Sequence, residues 1–118
     1  MVQRKDIFDF VSTRYNVKPD YPWKKYKNYA ALRHKDNEKW FGLVMDITPG
    51  KLGLDGNGEI DVLNVKVRKE FIGPLREKKG IYRAYHMDKN NWVTINLDEV
   101  KKMDEIQDLI AESYELTQ

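Results

Sequence analysis

Apolar residues first recur at helical spacing between Arg4 and Tyr15. Ile7, Phe8, Phe10, Val11 and Tyr15 mark the buried positions there, and Asp6, Asp9 and Arg14 are left for solvent. This predicts an amphipathic helix. Pro19 and Pro22 stand in the stretch Asn16 to Trp23; each removes a backbone donor and restricts its predecessor, so an ordered connector follows. Period-two alternation then takes over. Ala30 and Leu32 alternate with Arg33 in Tyr29–His34, while Phe41, Leu43, Met45 and Ile47 form an unbroken odd face in Trp40–Ile47. The polar link Lys35–Lys39 suits a hairpin pairing these two strands antiparallel. In a third strand, Ile60–Val67, the apolar phase slips between Val62 and Leu63, which predicts a bulge.

Helical spacing returns at Phe71, Ile72 and Leu75, but Gly73-Pro74 interrupts it, so Arg68–Lys79 should hold only a short or broken helix ending at Gly80. An extended piece, Ile81–His86, leads to a last strand, Trp92–Leu97, with Val93, Ile95 and Leu97 on one side. A final helix starts near Asp104, read as its N-cap, with Glu105 in the first turn. Its buried stripe is Ile106, Leu109, Ile110, Ser113 and Leu116. This order predicts an α+β two-layer sandwich, a mainly antiparallel sheet with helices on one face. At 118 residues one core suffices, so residues 1–118 are expected to form a single domain. No repeat or low-complexity tract divides them.

Composition narrows the chemistry. There is no cysteine, which excludes thiol nucleophiles, CxxC redox motifs and Cys-based zinc sites. The amino terminus carries no apolar leader segment and no run is long enough to span a bilayer, so a cytoplasmic protein without a membrane role is expected. Charge is unevenly spread: residues before Asp98 carry net +7, and those from Asp98 onward net −5. A basic body suits a polyanion partner, although an acidic last helix lying beside a basic face would account for the same asymmetry.

Motifs for catalysis or metal binding are weak. The stretch Gly53–Ile60 resembles the middle of an EF-hand loop, but Gly53 and Asn64 stand where its first and twelfth ligands should be, so a glycine-rich turn is the better reading. Those glycines precede neither a Gly-Lys-Ser/Thr nor a GxGxxG helix, and neither Ser12 nor Ser113 lies in a GxSxG. No catalytic residue, resident metal or cofactor is therefore expected. Asp104, Asp108, Glu112 and Glu115 stack along one side of the last helix, where weak cation contact competes with plain solvation.

A sharper expectation comes from strand parity. If the helices cover Phe41, Leu43, Met45, Val93 and Ile95, then Tyr29, Arg33, Trp40, Lys66, Trp92, Thr94 and Asn96 share the opposite, open face. Rings that stack on bases and cations that neutralise phosphates are what nucleic acid needs. The same surface suits a second hydrophobic cluster or a self-association interface, with a homodimer as its product. Lys24, Lys25 and Lys27, beside Trp23, Tyr26 and Tyr29, extend its basic rim.

The stretch Gly80–Ile95, GIYRAYHMDKNNWVTI, followed by an acidic helix ending Glu112-Ser-Tyr-Glu-Leu116, resembles the MmcQ/YjbR family. That family shows a Gly, a few residues, then Tyr-His-x-Asn-Lys-x-His-Trp entering a strand. Tyr21-Pro-Trp23, Tyr29–His34, Lys39-Trp-Phe41 and Asp61–Lys66 are similar to one branch of it, so the likeness runs from about residue 3 to residue 117. Tyr85, His86, Lys89 and Trp92 match, whereas Asp88 replaces the family's Asn and Asn91 its second His. The resemblance implies a CyaY-like sandwich and a DNA-binding protein of unsettled biochemical role. A frataxin-like metal function would follow from fold analogy alone. Together these readings predict a non-enzymatic nucleic-acid-binding domain. Its contacts would come from Lys24, Lys25, Arg33, Trp40, Lys66, His86, Lys89 and Trp92.

Overall fold

The computed structural model describes residues 1–118. Its first helix, α1, spans Arg4–Tyr15. The Gln3 N–H donates to Asp6 Oδ2 at 2.8 Å, satisfying an orphan donor at its start. Asn16 ends it in the left-handed region at φ 56°, a conformation Asn tolerates better than most residues, and donates its N–H to Ser12 O at 3.0 Å. Ile7 and Val11 are fully buried.

Five strands follow: β1 Ala30–Arg33, β2 Trp40–Ile47, β3 Ile60–Lys66, β4 Ile81–Arg83 and β5 Trp92–Asn96. Every pairing is antiparallel, in the order β1-β2-β3-β5-β4, so β4 forms one edge. The short helix α2, Ile72–Arg76, is preceded by a 3₁₀ turn at Lys69–Phe71, and α3 spans Asp104–Leu116. Asp104 is the first helical residue rather than the cap; Met103 occupies the cap position without a side-chain hydrogen bond. All three helices pack on one face. Ile7, Val11, Ile106 and Ile110 meet Leu32, Val44, Leu63, Val65, Val93 and Ile95 in the main core, with Ile72 and Leu75 of α2 against its margin. Each such side chain, buried in full, contributes roughly 1.5–3 kcal/mol. The α+β two-layer architecture expected above is the one observed.

The parity of β2 is corrected. Leu32 faces Gly42 and Arg33 faces Trp40, which leaves Phe41 as an extra residue on β2. Phe41 turns into the helix-side core, while Leu43, Met45 and Ile47 face away from the helices. The bulge frees the Phe41 carbonyl, and α3 captures it: Ser113 Oγ donates to Phe41 O at 2.6 Å and accepts from Lys66 N–H at 2.8 Å. The bulge expected in β3 is absent. Its register runs unbroken from Ile60 to Lys66, with Val62 on one face and Leu63 and Val65 on the other, because both faces are covered.

The second face is accordingly not open. The connector pairs with β1 through Asp20 and Ala31, N–H to O at 3.0 and 2.8 Å, and then crosses the sheet. Trp23 and Tyr29 from the connector, with Tyr85 and Met87 from the β4–β5 loop, pack on Leu43, Met45, Ile47 and Val62.

Candidate nucleic-acid interface

Sheet polarity fixes the loop that organises this second face. Asn64 and Thr94 are fully buried on neighbouring strands, where unpaired polar groups would be costly. They satisfy each other and hold the loop: Thr94 Oγ1 donates to Asn64 Oδ1 at 2.5 Å, Asn64 Nδ2 donates to Tyr85 O at 2.8 Å, and Tyr85 N–H donates to Thr94 Oγ1 at 2.9 Å. Beyond this clasp His86 adopts φ 66°, with its ring centroid 4.0 Å from that of Tyr85. Asp88 then shapes the turn by accepting from Asn90 N–H at 2.9 Å and Asn91 Nδ2 at 2.8 Å. These bonds, the backbone one foremost, hold its carboxyl below the usual carboxylate range.

On one side of Tyr85 lies a groove of about 590 Å³ along the β4 edge. Its walls carry Lys51, Arg76, Lys78, Lys79, Arg83 and Lys89. All six are exposed, and none takes part in the ion pairs of the protein, which join Arg4 to Asp61, Lys5 to Asp9, Arg33 to Asp20 and Arg68 to Glu112. Gly80, at φ 89°, makes the turn that folds the Lys78–Lys79 segment back beside β4. Glu99 is the one acidic lining residue, and it accepts hydrogen bonds from Tyr82 Oη and, at 3.0 Å, from Asn96 Nδ2. Burial, then the adjoining Glu99, pushes the Tyr82 phenol up to about 12, so it stays a neutral donor.

On the other side of His86 is an apolar pocket of about 310 Å³. Trp23 and Trp40 meet edge to face with centroids 5.2 Å apart, and Tyr26 stacks on Tyr29 at 4.6 Å. Leu43, Met45, Met87 and His86 complete the lining. A polar depression of about 460 Å³ between groove and pocket is lined by Lys25, Lys27, Lys51, Asp46, Glu59, Tyr85 and His86, among others. Asp46 there accepts from Asn28 Nδ2 at 2.9 Å.

Four of the residues expected at the interface are thus gathered along this track: Lys89 in the groove, Lys25 and His86 between, Trp40 in the pocket. Lys24 is exposed on the connector and lines neither. Arg33 is held by Asp20 and lines a separate depression with Lys18 and His34. Lys66 ends β3 opposite Trp92, away from both cavities. Trp92, expected as a stacking plane, is only 8% exposed, because it belongs to a strand covered on both faces. Sequence reasoning missed Lys51, Arg76, Lys78, Lys79 and Arg83, which converge only through the turn at Gly80 and the edge position of β4. On α3, Glu112 approaches Arg68 at 3.6 Å, and no group of three or more His, Asp or Glu side chains is placed to hold a metal ion. No helix is long and apolar enough to cross a membrane.

Three proteins are closely similar to this chain or its fold. An uncharacterized Bacillus subtilis (strain 168) protein, YyaQ, is 50% identical over 117 residues, 99% of each chain. A crystal structure of a Pseudomonas syringae protein, 44% identical, superposes with a TM-score of 0.96 over 99% of this chain and 100% of that one. A Deinococcus radiodurans crystal structure shares the fold at 20% identity and a TM-score of 0.72, covering 98% of this chain and 78% of that one. The YjbR family profile matches residues 12–116, nearly the whole length, and the chain belongs to the YjbR family.

Proposed function

We propose that the protein binds nucleic acid, holding the sugar–phosphate backbone in the basic groove beside β4, and that it does so as a binding protein rather than an enzyme. The observation that carries this reading is the set of six exposed cations, free of internal ion pairs, around one groove. Cations paired within the protein have less to offer a phosphate; unpaired ones release the counterions of the strand they bind. The aromatic pocket next to the groove supports nucleic acid over a simple inorganic anion, because rings add stacking to charge. The two histidines support binding over catalysis: His34 is buried against Thr117, with Nε2 and Oγ1 2.7 Å apart, and His86 has no carboxylate hydrogen-bond partner to orient it.

The test is fluorescence anisotropy of a labelled, mixed-sequence single strand of about 12 nucleotides, long enough for a compact binding surface. Binding should be measurable at low salt and weaken steeply as salt rises. Absence of binding at low salt, or affinity indifferent to salt, rejects the proposal.

A further inference from the structure

We infer that the aromatic pocket receives one unpaired base of a single strand whose phosphates occupy the basic groove, an inference that rests on the reading above and gives that site its strand preference. The pocket's 310 Å³ sits at the small end of the roughly 300–1,000 Å³ range of ligand sites, which suits one flat ring system better than an extended chain. Its walls are rings at two orientations, and its floor is Leu43 and Met45 of the sheet, both buried. Such a cavity rewards burial of a planar π-system from either side. A base stacked inside a duplex cannot descend to that floor, so the occupant is unpaired.

Continuity and charge select the strand as the source of that ring. Tyr85 lines the groove and His86 lines the pocket, and their centroids are 4.0 Å apart. Lys51, which lines both the groove and the depression, holds its Nζ 6.0 Å from the Tyr85 ring. The step between mixes both signs, with Asp46 and Glu59 beside Lys25, Lys27 and Lys51. Phosphates are favoured in the groove, where six cations face one hydrogen-bonded carboxylate, and a neutral base in the pocket, whose lining carries no Lys, Arg, Asp or Glu. An apolar face of a second copy would have no use for the groove.

Three labelled probes at one low salt concentration test this: a mixed-sequence single strand, the same backbone made abasic, and a blunt duplex. The base-bearing strand should quench tryptophan emission and bind roughly tenfold or more tighter than the abasic one, the scale of one stacked base. Tyr26, 42% exposed, can be replaced without opening the core. Tyr26→Ala should erase most of that preference while leaving salt dependence intact, and Tyr26→Phe should restore it. Equal binding of base-bearing and abasic strands overturns the pocket assignment and leaves phosphate binding standing. Failure of all three probes overturns both. A dimer by light scattering that Tyr26→Ala dissolves gives the pocket to a second copy and overturns the inference.

Discussion

Replacing Lys78 and Lys79 with Ala removes two of the six groove cations, and its effect can be worked out in advance. Both side chains are exposed, and the backbone bonds of this segment, Lys78 N–H to Leu75 O at 3.0 Å and Ile81 N–H to Lys78 O at 3.3 Å, survive in Ala. Stability should therefore change by no more than about 0.5 kcal/mol. For single strands, log affinity falls with log salt at roughly 0.7 per neutralised phosphate, so six contacts set an upper slope near −4. Raising salt from about 50 to about 200 mM would then weaken the parent by up to roughly 300-fold, and the double variant, with four contacts, by roughly 50-fold. Anisotropy titrations across that range read both slopes directly. A double variant whose slope matches the parent's places the phosphates elsewhere, and the groove loses its role.

Three further outcomes follow from the packing. Thr94→Val strands Tyr85 N–H and Asn64 Oδ1 and should cost ~2–6 kcal/mol in urea unfolding, from roughly 1–3 kcal/mol per stranded group; a loss below about 0.5 kcal/mol would show the clasp to be dispensable. Trp92→Ala should lower stability by about 3–5 kcal/mol but leave strand affinity per folded molecule unchanged, whereas weaker binding at full stability would return Trp92 to the interface. Burial, first of all, holds His34 below its ordinary 6.5, so the folded state favours the neutral ring. Its contribution is complete above pH 6.5 and declines as pH falls toward the lowered folded value, because the unfolded chain binds the proton first. Urea midpoints should drop as pH falls below about 6.5 in the parent, and that decline should shrink in His34→Asn; an unchanged decline would assign it to other groups.

Periodicity located both long helices and β2 at the residues observed, since each helix buries one stripe against the main core and β2 places apolar residues on both of its covered faces. It failed where a pattern had two solutions. Phe41, Leu43, Met45 and Ile47 read as one face, yet the bulge sends Phe41 to the helices and the other three to the connector, and both destinations are apolar. Val44, apolar on an even position, is the one sequence signal of the double coverage, and the reading of the odd face passes over it. Tyr26, Trp40 and Lys25 were legible because connector and strand carry aromatic and basic letters side by side. The basic groove was not. Arg76, Lys78 and Lys79 read as solvated charge until Gly80 turns them beside Arg83 on a strand of three residues.

The two halves of the proposed site are joined by a buried polar pair, Asn64 and Thr94. A non-glycine residue at positive φ persists only where its surroundings over-determine it, and His86 is reached directly from Tyr85, whose N–H and C=O are both held by Thr94 and Asn64. The clasp therefore does more than satisfy polar atoms under a loop. It sets Tyr85 against the groove and His86 against the pocket, so that a strand bound as proposed would meet the rings in fixed register. On that reading Thr94→Val acts on binding as well as stability: the folded variant keeps most of the parent's salt slope, because five of the six cations, all but Lys89, stand outside the clasped loop, but loses the preference for base-bearing over abasic strands. A variant that keeps both would reduce the clasp to packing and leave groove and pocket as independent neighbours.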